Sequence, residues 1–118
     1  VEDTYLDTLA ALETIFAQRP FLLGARPSEA DFGFFGPLFR HFASDPAPAR
    51  LMRARAPAVY EWVARMWNLS PARIADAAPP ERIPHDLGSL ATMVSEDYLP
   101  YLDANAAAYA ADRARVGY

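Results

Sequence analysis

Arg19-Pro20-Phe21-Leu22-Leu23-Gly24-Ala25-Arg26-Pro27-Ser28-Glu29-Ala30-Asp31-Phe32 is the stretch from which the rest of the chain can be read. Pro disfavours helix in the residue before it, so a helix arriving from the N-terminal side ends by Arg19. The apolar connector Phe21-Leu22-Leu23 is closed by Gly24. Ser28 and Asp31 then stand at the spacing of a capping box. Ser28 is expected to accept from a first-turn backbone N–H, while Asp31 reaches back to the Ser28 amide. The usual partner is Glu or Gln, so the shorter Asp implies a tight reciprocal geometry. Pro27 and Phe32 occupy the two positions of a hydrophobic staple. The helix opening here is predicted to pass through Phe35, Leu38, Phe39 and Phe42 and to end near Ala43. Pro37 inside it must free one carbonyl and bend the axis.

Helical periodicity extends in both directions. Tyr5, Leu9, Leu12 and Phe16 recur at three- or four-residue spacing, the stripe of an amphipathic helix, with Thr4 and Asp7 as its expected start. Ser44 to Pro48 reads as a turn, followed by a short helical piece to Ala56. Pro57 suits a first helical turn. Beyond it Val59, Trp62, Val63 and Met66 form a further stripe that ends near Asn68. Residues 69–84 hold four prolines and little periodicity, a surface excursion. A last helical region is predicted from Asp86 to about Arg115, broken or kinked at Pro100. No useful strand-like alternation and no internal repeat occurs. The fold class is therefore all-α, a bundle of about five to six helices, with residues 1–118 as one domain.

Composition narrows the function. The chain has 118 residues, 53% hydrophobic and 22% charged, the balance of a globular protein. Fifteen acids against 11 bases, all of them Arg, give a net charge of −4 and argue against a nucleic-acid partner. With no Cys there is no disulfide scaffold, Cys-based zinc site, iron–sulfur cluster or thiol nucleophile. No apolar run reaches the ~18 residues of a membrane span, and no leader pattern opens the chain. A cytoplasmic protein with no membrane partner is expected.

Few residues stand in a pattern that implies chemistry. His41 and His85 have no second ligand at metal-binding spacing, so no metal site is expected. Glycine-rich phosphate loops and nucleophile elbows are missing. The adjacent acids Glu2-Asp3 and Glu96-Asp97 point to different helix faces and read as solvated surface. Asn68-Leu69-Ser70 matches a glycosylation acceptor that matters only in a secreted chain. Phe32, Phe35, Phe39 and Phe42 are read as one core-facing stripe. The neighbouring face carries Gly33, Gly36, Pro37 and Arg40. Each helical glycine costs roughly 1 kcal/mol relative to Ala. Such a bare face either admits another backbone at close range or leaves room for a ligand, with Arg40 placed to meet an anion.

The capping run resembles the signature of the glutathione transferase C-terminal domain, in which a Leu-x-Gly connector precedes an S/T-x-x-D box opening a buried central helix. Ala56-Pro57-Ala58-Val59-Tyr60-Glu61-Trp62-Val63 is similar to the family's P-x-V-x-x-W helix. Pro100-Tyr101-Leu102-Asp103-Ala104-Asn105-Ala106 resembles a late segment of its bacterial members. The resemblance implies that Ser28 and Asp31 are folding determinants of the central helix, and that Gly33, Gly36 and Arg40 border the hydrophobic-substrate pocket. It implies glutathione as co-substrate and a homodimer as a possible assembly. It also implies an N-terminal thioredoxin-like domain as partner, the part that activates the thiol. That domain is not in this sequence, whose opening at Val1 reads as the second helix of the C-terminal domain. The chain alone is thus expected to carry no catalytic residue. The alternative is a non-enzymatic interaction module of the same fold.

Overall fold

The computed structural model describes residues 2–116. Helix α1 spans Glu2–Phe16, α2 Glu29–Pro37, α3 Pro46–Arg55, α4 Pro57–Trp67, α5 Pro71–Ile74, α6 Gly88–Met93 and α7 Leu99–Val116. Wide π-helical turns follow α2 at Leu38–Ala43 and α6 at Val94–Tyr98, and a 3-10 turn covers His85–Leu87. The molecule is all-α: among the described residues the sole β-type pairing is an isolated bridge between Phe21 and Gly24. Gly24 sits at φ +143°, a conformation that side chains rarely adopt, which explains a glycine at the end of the connector.

Three helices begin the same way. Pro46, Pro57 and Pro71 stand in the first turns of α3, α4 and α5, where a missing N–H goes unmissed. Pro46 therefore starts a helix rather than belonging to a Ser44–Pro48 turn, and Pro71 places one helical turn inside the excursion. Helix α1 starts at Glu2, so Thr4 lies within it, its carbonyl accepting the Thr8 hydroxyl at 2.7 Å.

The chain divides into two compact units, Val1–Leu87 and Gly88–Tyr118. In the first, α1 packs against α4 and α3, and the π turn after α2 packs against α3 and α4. Leu9, Leu12, Ile15 and Phe16 from α1 meet a core that includes Met52 of α3 and Val59, Trp62, Val63 and Met66 of α4. Phe16 stacks on Trp62 with ring centroids 4.6 Å apart, and Phe35 meets the same indole in a T-shaped arrangement with centroids 6.4 Å apart. Ala56 precedes α4 and has no side-chain acceptor to cap it; Glu13 of α1 accepts the Val59 N–H at 3.1 Å instead. In the second unit the side chains of Tyr98, Leu99, Tyr101, Leu102 and Tyr109 are exposed.

The inward face of α2 differs from the expected one. Phe32 is 54% exposed, while Asp31 and Leu38 are buried and Phe34 and Phe35 half-buried. At about 100° per residue, positions 31, 34, 35 and 38 share one face and Phe32 falls beside it. The phenylalanine spacing alone places Asp31 outside the core, whereas the helix turns it inward. Downstream, Phe39 stacks on Phe35 at 5.3 Å and Phe42 on Tyr5 at 4.3 Å, both half-buried.

Candidate functional site

The one buried polar side chain among the described residues is Asp31, 0% exposed at the start of α2. Its two oxygens accept four hydrogen bonds. Oδ2 takes the Ser28 amide and the Ser28 hydroxyl, each at 2.8 Å, and Oδ1 takes the Leu22 amide at 2.9 Å and the Trp62 indole N–H at 3.2 Å. Ser28 and Asp31 form a capping box at the start of α2. The carboxylate also reaches past the box, to the connector through Leu22 and to α4 through Trp62. Three segments meet on one side chain. A buried carboxylate is tolerable when its lone pairs are met in this way, and no buried side-chain donor or acceptor among the described residues lacks a partner. The bonds to Leu22 and Trp62 were not foreseen from the sequence; the signal available was the short Asp in place of Glu.

Gly33, Gly36 and Arg40 lie on the side of the helix away from this core. Gly33 and Arg40 are exposed and Gly36 is half-buried, and nothing approaches within 4 Å of where a Cβ would stand on either glycine. Close backbone packing within the described chain is therefore not what these glycines serve. The face is open. Pro27, half-buried, and Phe32, exposed, flank the start of the helix.

Among the described residues, cavities of about 580, 480 and 200 Å³ lie elsewhere in the first unit, and Gly33, Gly36 and Arg40 line none of these. The cavity of about 580 Å³ runs along Arg19, whose guanidinium grips Asp86 with two bonds of 2.6 and 2.8 Å and donates its Nε–H to the Leu22 carbonyl at 2.9 Å. Hydrogen bonding from Arg19 holds the Asp86 carboxyl below its ordinary pKa. The pair pins the end of the proline-rich excursion to the connector. His41 and His85 are both exposed, and among the described residues no three His, Asp or Glu side chains gather as a metal cluster would require. No described helix is long and apolar enough to cross a membrane.

The family model for the glutathione S-transferase C-terminal domain matches residues 1–65, just over half of the chain. The chain belongs to this family. The matched part holds α1, the Arg19–Phe32 run with its capping box, and α4 as far as Arg65. Pro100–Ala106 lies outside it. No curated protein and no solved structure matches the chain. In a glutathione S-transferase C-terminal domain the all-helical architecture is expected, and the Asp31 network shows how this sequence joins its central helix to the connector and α4.

Proposed function

We propose that the chain is the hydrophobic-substrate-side domain of a bacterial, glutathione S-transferase-like protein. Its parent joins the glutathione thiolate to electrophiles. The observation that carries this reading is the family match over residues 1–65. The open face of Gly33, Gly36 and Arg40 supports it, because a helix face stripped of side chains leaves room for a substrate body while Arg40 attracts acidic groups. In this reading glutathione and thiol activation belong to a thioredoxin-like domain, and this chain supplies a wall and a scaffold. Detoxification in the cytoplasm and a dimeric assembly are part of the same proposal.

The test compares the 118-residue chain with its full-length parent in glutathione equilibrium dialysis and in conjugation of a dinitrohalobenzene. The chain alone should neither retain glutathione nor accelerate conjugation, and the parent should do both. Conjugation by the chain alone would refute the division of labour, and inactivity of the parent would refute the transferase reading.

A second reading is favoured by the exposed Tyr98, Leu99, Tyr101, Leu102 and Tyr109. Large exposed side chains of this kind, close together in sequence, suit a protein-interaction module. A parent that binds no glutathione yet assembles into a stable complex would select it.

A further inference from the structure

The cavity of about 480 Å³ joins an apolar floor to two arginines in a chain that is acidic overall. Phe21, 4% exposed, with Pro20, Leu69 and Ile74, supplies the floor. Arg65 from α4 and Arg73 from α5 stand in its lining, and no acidic residue does. Arg65 donates one N–H to the Pro20 carbonyl at 2.9 Å, which fixes its guanidinium at the edge of the cavity and leaves further donors unspent. The Arg73 side chain is exposed and makes no hydrogen bond or ion pair with any described residue. Arg19, by contrast, is neutralised by Asp86.

Two like charges bordering one hollow repel each other, and an anion between them reverses the sign of that interaction. Guanidinium groups take carboxylates by paired N–H donors. The floor is apolar throughout, one phenylalanine among aliphatic side chains, and offers no polar array for a sugar or base. The volume falls within the range of small-molecule sites. We propose that this cavity binds a small amphipathic carboxylate, its head between Arg65 and Arg73 and its aliphatic body over Phe21, Leu69 and Ile74. The site is independent of the Gly33–Arg40 face and of any glutathione chemistry.

Octanoate and octan-1-ol titrated separately into the isotope-labelled full chain test it, read by amide chemical shifts. Octanoate should move the amides of Phe21, Ala25, Leu69 and Ile74 and saturate. Affinity should rise from butyrate to octanoate, by at most about fourfold per buried methylene. Arg73→Glu should weaken octanoate by about fivefold or more, and Arg73→Gln by less, in keeping with a partly exposed pair. The same reversal at the exposed Arg55 should leave binding unchanged. Added salt should weaken octanoate and spare the alcohol. Octanol binding as tightly as octanoate, equal binding by both Arg73 variants and the unaltered chain, or shifts centred elsewhere would each overturn the proposal.

Discussion

Replacing Asp31 by Ala takes the acceptor from four donors at once, the Leu22 and Ser28 amides, the Ser28 hydroxyl and the Trp62 indole. Buried donors left unpaired cost about 1–3 kcal/mol each, and relaxation recovers some of the sum, so Asp31→Ala should lower stability by about 3–5 kcal/mol. Ser28→Ala removes only a hydroxyl and should cost about 1 kcal/mol. Asp31→Asn should fall between, because its amide turns one acceptor into a donor facing donors. Urea denaturation checks the order; an Asp31→Ala loss no larger than that of Ser28→Ala would show that the carboxylate does no more than cap. In the fraction that stays folded, ligand affinity should hold. The box itself was legible, since Ser-x-x-Asp is a local pattern. Its further partners were not, because Leu22 and Trp62 lie nine and 31 residues away and only the tertiary fold brings them in.

At the level of elements, α2 carries two glycines whose place in a helix is not explained by contacts within the described chain. Gly33→Ala and Gly36→Ala add a methyl where nothing lies within 4 Å. Each should therefore raise stability, by up to about 1 kcal/mol. If this face receives a substrate body, the same changes should weaken binding of acidic hydrophobic dyes, as should Arg40→Ala. Melting temperature and dye titration on the same variants separate the two effects. Stabilisation with unaltered dye binding would return the glycines to plain sequence drift. The stripe of α4 was read correctly from Val59, Trp62, Val63 and Met66 because every one of them is apolar. The stripe of α2 was misphased because its innermost member is a carboxylate and the phenylalanine next to it faces out. Hydrophobic periodicity has no means of counting a buried Asp.

For the whole molecule, one pair ties residues 67 positions apart: Arg19 beside the connector and Asp86 at the end of the excursion. Their side chains are 15% and 29% exposed, so solvent screening limits the contribution to about 1 kcal/mol. Because folding lowers the Asp86 pKa, the contribution is full above the ordinary carboxylate value of about 3.9 and is lost as pH falls through the lowered one. The stability gap between the unaltered chain and Asp86→Ala should thus hold at neutral pH and close in acid. A gap unchanged down to about pH 2 would mean that packing, not charge, sets it. The all-α class was legible because nearly every segment has helical spacing; this pair was not, since it joins a loop residue to a single 3-10 turn and neither has a pattern of its own. The central functional claim is that the chain works as one part of a two-domain transferase. The intact mass of the native protein isolated from its source cells tests that most directly. A mass about 10 kDa or more above the 13.0 kDa of this sequence, one further domain, is the predicted result. A native mass of 13.0 kDa would contradict it.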